Sequence, residues 1–175
     1  FPLKKINEKS KRYLKPIVAL RYSPNNTKNI SDKDIRLVYD NIFSLNRIGT
    51  SEIVEGGKSI SLGLEYEKTN LQDDKIIAFN IANSISDKKN DNLPTKSKLN
   101  ETRSDFVGNL SYSPNSILDF DYNFSYDKNF EGSNYDSIST TISVNNFITT
   151  FNFLSEDYKI AGNDNKEVLS NTAKY

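Results

Sequence analysis

The sequence predicts an all-β chain of antiparallel meander hairpins, and three observations carry that expectation. Apolar and polar residues alternate with period two over many runs, which is how a strand looks when its two faces meet different environments. Several runs reach about nine to eleven residues, enough for a tilted strand to cross a bilayer, whereas soluble strands are usually nearer about five or six. From about Lys68 onward the connections alternate between short and long. Short turns on one side of a membrane and long loops on the other give transmembrane outer-membrane β-barrels this rhythm, so the expected architecture is part of such a barrel.

In chain order, residues 1–15 read as a basic lead-in with Lys4, Lys5, Lys9, Lys11, Arg12 and Lys15, lacking the apolar centre of a signal peptide. Residues 16–175 read as one partial barrel domain without an interior boundary, a piece of a longer chain. The first strand is Ile17 to Tyr22, following Pro16. Ser59 to Glu67 sets Ile60, Leu62, Leu64 and Tyr66 against Ser59, Ser61, Gly63, Glu65 and Glu67. Lys75 to Ser84 carries Ile77, Phe79 and Ile81 on one face, and Asp105 to Tyr112 carries Phe106, Leu110 and Tyr112. Leu118 to Tyr126 is the clearest strand: Leu118, Phe120, Tyr122, Phe124 and Tyr126 alternate with Asp119, Asp121, Asn123 and Ser125. Ser137 to Asn145, Phe147 to Leu154 and a weaker Val168 to Tyr175 complete a set of seven or eight strands. The tight turns at Ser113 to Ser116 and Asn145-Asn146 would face the periplasm, and Ile85 to Arg103 the outside.

Composition narrows the chemistry. Of the 175 residues 35% are hydrophobic and 26% charged, with 23 basic residues against 23 acidic, which gives no overall field to attract nucleic acid. The sequence contains neither Cys nor His, so thiol nucleophiles, thiolate metal sites and histidine-based acid-base pairs are excluded for this chain. No apolar run approaches the roughly 18 to 20 residues of a membrane-spanning helix. The acidic pairs Asp73-Asp74 and Asp119 with Asp121 have the residue types of an acid-base or cation site, but their positions fit a turn and the wet face of a strand. Gly56-Gly57 is likewise better read as a turn feeding the strand at Ser59 than as a phosphate loop, since no helix with Lys-Ser/Thr follows. No catalytic residue, metal ligand or cofactor is expected.

Alternation alone also fits a soluble β-sandwich, and the barrel features alone fit a porin or receptor. One phrase separates these. Asp40-Asn41-Ile42-Phe43-Ser44-Leu45-Asn46-Arg47-Ile48-Gly49, then Glu55-Gly56-Gly57, then Ile60-Ser61-Leu62-Gly63-Leu64-Glu65-Tyr66 resembles the LptD family in both order and spacing. The motif residues are Asn41, Phe43, Asn46, Arg47, Gly49, Glu55, Gly56 and Gly57. Upstream, Lys15 to Leu20 with Tyr22-Ser23-Pro24-Asn25 adds to the likeness. Downstream, Arg103-Ser104-Asp105-Phe106-Val107-Gly108 contributes Asp105 and Gly108. The sequence departs from the family pattern at Ile42, often Leu, and at Thr50 to Val54, where an Asp and an Arg are usual; any detailed contact by Ser51 or Ile53 is left open by that departure.

The resemblance implies a C-terminal barrel portion in the outer membrane of a Gram-negative bacterium. Its substrate would be lipopolysaccharide, received from periplasmic bridge proteins and inserted into the outer leaflet, with an LptE-like lipoprotein plugging the lumen. That work is transport, not catalysis. The rows Ile60, Leu62, Leu64 and Leu118, Phe120, Phe124 would face outer-membrane lipid, and Asp119, Asp121 and Asn123 the lumen.

Overall fold

The structure is a computed structural model that describes residues 2–49, 55–157 and 166–175. Nine strands form one sheet in chain order: β1 (Leu3–Ile6), β2 (Lys11–Ser23), β3 (Gly57–Thr69), β4 (Lys75–Ser86), β5 (Phe106–Tyr112), β6 (Leu118–Tyr126), β7 (Ser133–Val144), β8 (Phe147–Glu156) and β9 (Lys166–Lys174). Every strand pairs antiparallel with its neighbour in sequence, and the sheet is open, with β1 and β9 at its edges. One short helix, α1 (Tyr39–Ile42), lies between β2 and β3.

The expected meander is therefore present; several strand limits differ by one or two residues from the alternation, and β2 and β7 begin well ahead of it. β2 begins at Lys11, six residues ahead of the expected Ile17, and Leu3–Ile6 forms a further strand. Cross-strand charge explains the extension: Lys15 pairs with Glu65 at 2.9 Å and Lys11 with Asp73 at 2.8 Å, so the basic run finds acidic partners on β3 and its turn. β7 likewise begins at Ser133, four residues ahead of the alternation, because Ser133 and Tyr135 extend the ladder across an irregularity at Asn134.

Four short turns, β1–β2, β3–β4, β5–β6 and β7–β8, lie at one end of the sheet, and the six-residue β6–β7 turn lies at the other. Asn70 closes the β3–β4 turn by accepting the N–H groups of Gln72 and Asp74 on its side-chain oxygen, both at 2.9 Å, as Asn does in turns. Asn115 does the same for Ile117 and Leu118 before β6. Asn145, with φ +53, turns β7 into β8, a conformation Asn tolerates better than most residues. The long connections, 24–56 and 87–105, leave from the other end. The connection from β8 to β9 falls largely outside the described residues.

Register divides the sheet into two unlike faces. Ser61 and Glu65 of β3, Ser84 and Asn80 of β4, Asn109 and Ser111 of β5, and Asn123 and Asp121 of β6 stand in register on one face. Ser137, Ser139 and Thr141 of β7 continue it toward Asn152 and Thr150 of β8. The opposite face carries Val18, Leu20, Ile60, Leu62, Leu64, Ile81, Phe79, Leu110, Phe120, Phe124, Ile138 and Phe153. The residues expected to face lipid and those expected to face the lumen thus fall on opposite faces.

Candidate functional site

The two long connections fold back over the polar face and pack on each other. Ile30, Leu37, Ile42 and Ile48 from the first and Leu93 and Leu99 from the second form a buried cluster, joined on the sheet by Ala82 and Val107. This cluster sits above the polar row of side chains, so the buried core lies on the polar side. Backbone and amide groups stitch the connections together: the Ile30 N–H donates to Asn92 O at 2.8 Å, Asn90 donates to the Thr27 hydroxyl at 3.0 Å, and the Ser97 hydroxyl donates to Leu37 O at 2.9 Å.

The Asn-Arg and Glu-Gly-Gly phrase fixes the first connection to the sheet. Asn41 holds the start of α1, accepting the Val38 N–H at 2.9 Å and donating to Arg36 O at 3.0 Å. Phe43 lies over Gly63 of β3, where any Cβ would overlap the ring. Asn46 is exposed in the turn that follows, and Gly49 takes φ +68. Arg47 is buried, and its guanidinium forks onto both Glu55 carboxylate oxygens, Nε to Oε2 at 3.0 Å, while also donating to the Ser84 hydroxyl. Such a planar two-point pairing is the geometry in which Arg binds a carboxylate most strongly.

Arg21 of β2 reaches the same carboxylate and donates to Glu55 O at 2.9 Å and to the Ser59 hydroxyl at 3.2 Å. Glu55 is thus clamped between two guanidiniums, one from the connection and one from the sheet. Gly56 passes so close to the chain at Asn25 that a side chain would overlap Asn25 O, and its N–H donates to the Thr27 hydroxyl at 2.9 Å. Gly57, with φ +99, is the first residue of β3. The contacts left open for Ser51 and Ile53 lie outside the described residues. Arg21 was not singled out from the sequence; a lone Arg on the polar side of an alternating strand was the available signal.

The second motif region lies where the second connection re-enters the sheet. Gly108 leaves room for the Phe124 ring. Asp105 is completely buried; its Oδ2 accepts the Ser125 hydroxyl at 3.1 Å and Asn134 at 2.7 Å, and its Oδ1 has no hydrogen-bond partner among the described residues. Burial pushes its carboxyl above the ordinary aspartate range, against the opposing hydrogen bonds of Asn134 and Ser125. Beside it lies a cavity of about 230 Å³ between the second connection and the ends of β6–β8. Glu156 of β8 closes one side by binding both Arg36 and Lys96, the latter at 2.8 Å, and Arg36 lies 4.1 Å over the Tyr135 ring. Arg36, Lys96 and Glu156 were not anticipated, because they come together only through the fold.

On the sheet beneath, Tyr39 of α1 donates to Glu65 at 2.9 Å, and burial with that bond raises its hydroxyl above the usual tyrosine range. Asp119, Asp121 and Asn123 are exposed on the polar face, where Asp121 accepts the Ser111 hydroxyl at 2.7 Å. They stand on the side the connections cover, apart from both clusters. Across the sheet the apolar face is bare: Leu20 is 79% and Val18 63% exposed, with Leu62, Leu64, Phe147, Phe151 and Leu169 also open. An aromatic row crosses it, Phe79 stacked on Phe124, Phe124 against Tyr126, and Phe106 on Phe130. Tyr122 lies in mid-strand with its hydroxyl on Asp136 at 2.5 Å.

Among curated proteins a search finds no match. The family model of LptD, described as LPS transport system D, matches residues 1–173, nearly the whole chain. With that match over an antiparallel meander whose phrase residues hold together a covered polar face, the chain belongs to the LptD family of outer-membrane lipopolysaccharide-transport proteins, which are not enzymes.

Proposed function

We propose that this chain is part of the C-terminal barrel portion of an LptD-type protein. In this reading it crosses the outer membrane of a Gram-negative bacterium and helps insert lipopolysaccharide into the outer leaflet. The supporting observation is the inversion of the two faces. A soluble sandwich covers its apolar sheet face and wets its polar one. Here the polar face carries the folded connections, and the apolar face is largely bare among the described residues, with Phe130 of the β6–β7 turn against its rim. Lipid is the solvent that suits such a face, and strands of 9 to 13 residues in β2–β4 and β6–β9 are long enough to span it.

The roles follow from that placement. The long-connection end faces outside and the short turns face the periplasm. Arg47, Glu55 and Arg21 pin the first connection inside the barrel, with Asn41, Phe43, Asn46, Gly49, Gly56 and Gly57 shaping it; Asp105 and Gly108 serve the second connection. Asp119, Asp121 and Asn123 belong to the wet lumen wall, against which an LptE-like lipoprotein docks, while periplasmic bridge proteins deliver the lipopolysaccharide. Further strands complete the barrel, since an open edge in lipid leaves backbone groups unpaired.

The test is fractionation of the full-length native protein, with gel mobility before and after boiling, together with surface lipopolysaccharide on depletion. Outer-membrane recovery, heat-modifiable mobility and loss of surface lipopolysaccharide are expected. A water-soluble product would overturn the membrane reading, and intact surface lipopolysaccharide would return the chain to the porin or receptor class.

A further inference from the structure

The cavity beside Asp105 has the chemistry of a binding site that neither the phrase nor the lumen wall explains. It is lined by hydrogen-bonding side chains, among them Asn100, Asn134, Tyr135, Glu101 and Lys98, with Asp105 at its buried end. An apolar chain has no seat there. Asp105 is fully buried, yet one of its two oxygens receives no donor from the described residues, so a donor is wanted at that point. A bare cation is a poor occupant: Lys96, Lys98 and Arg36 line the same space, and among the described residues no three His, Cys, Asp or Glu side chains converge as metal ligands.

A sugar ring meets these demands. Its hydroxyls donate to carboxylates and accept from amides and ammonium groups in turn, and a volume of about 230 Å³ admits a ring but not a folded lipid. We propose that this cavity binds one saccharide unit of the lipopolysaccharide headgroup, with Asp105 Oδ1 accepting a ring hydroxyl and Asn134 holding the carboxylate in place. The inference rests on the function proposed above and adds a subsite to it. It also gives the bridge of Arg36 and Lys96 to Glu156 a purpose, since that bridge forms one wall of the site.

The test uses the full-length protein in detergent and, as probe, the oligosaccharide left when the host's own lipopolysaccharide is delipidated. Saturable binding to the wild type is expected by titration calorimetry. Asp105→Asn and the milder Asn134→Ala should weaken it about tenfold to a hundredfold, the span expected for losing a charged hydrogen bond. Asp73→Asn, in the exposed turn at the other end, should bind as the wild type does. Heat-modifiable mobility shows that each variant is folded, and Asn134→Ala carries the test if Asp105→Asn is not. Absence of binding by a folded wild type, or unchanged binding in both cavity variants, overturns the subsite while leaving the barrel assignment standing. Equal binding of maltose would make this a site for soluble sugars and overturn the headgroup assignment.

Discussion

Arg47 and Glu55 stand eight residues apart and are both buried; the Arg47 charge is tolerable there because it forks onto Glu55, which Arg21 also holds. Removing Glu55 would leave Arg47 as an uncompensated buried charge, a loss of about 3 to 5 kcal/mol, whereas removing Arg47 leaves Glu55 paired with Arg21 and costs less. Arg47→Ala should therefore release the first connection while the strand ladder survives, seen as faster hydrogen exchange at Ile42 and Ser44. Arg47→Lys should rescue little, because an ammonium cannot form the two-point fork. Unchanged exchange in Arg47→Ala would show the pair to be incidental. Asp105 makes the opposite kind of statement. Its folded carboxyl titrates above the unfolded value, so its favourable contribution is complete below the ordinary aspartate range, about pH 4, and is lost as pH rises through the folded value. Docking of the second connection should loosen on going from about pH 4 toward neutrality, and Asp105→Asn should flatten that dependence. Exchange at the 97–105 amides, compared across pH in the two proteins, checks this.

The connections show why part of the site was legible and part was not. The strands were readable because period-two patterning is local: Leu118–Tyr126 appears in the structure with the limits its alternation gave. The tight turns were readable because Asn and Ser-Pro carry their conformations with them. α1 has a single turn and cannot show a helical period, so it passed unseen in the phrase around it. The phrase itself was visible as order and spacing, but its meaning requires Arg21 from β2 and Ser84 from β4, which alternation assigns merely to a polar face. Glycines in the phrase reflect close approach: Gly63 takes the Phe43 ring and Gly56 the Asn25 carbonyl. Gly63→Val should consequently push Phe43 off the sheet and expose the cluster of Ile30, Leu37 and Ile42, a change measurable as faster proteolysis within residues 24–48 of the detergent-solubilised protein. The rest of the sheet should resist, because each strand keeps its ladder partners.

For the sheet as a unit the decisive property is which face meets which solvent, and the sequence fixes this one residue at a time. Most outward positions are apolar and most inward ones polar, with exceptions such as Asn83 and Asp136 outward and Val107 and Leu154 inward, and register carries the match across neighbours, so Val18 meets Leu62 while Ala19 meets Ser61. A charge introduced on the two faces should therefore have unequal consequences. Leu62→Arg puts a guanidinium on the bare face near mid-strand; if that face lies in lipid, the cost is about 2 to 4 kcal/mol at the bilayer midplane. The same charge at Asp121, exposed on the polar face, meets water and should cost within about 0.5 kcal/mol. The ratio of the two, read from urea-induced unfolding of full-length protein refolded into bilayers, distinguishes lipid from water as the solvent of the apolar face. Equal costs at both positions would mean that the two faces share one environment, and the inversion of core and coat described above would lose its membrane explanation.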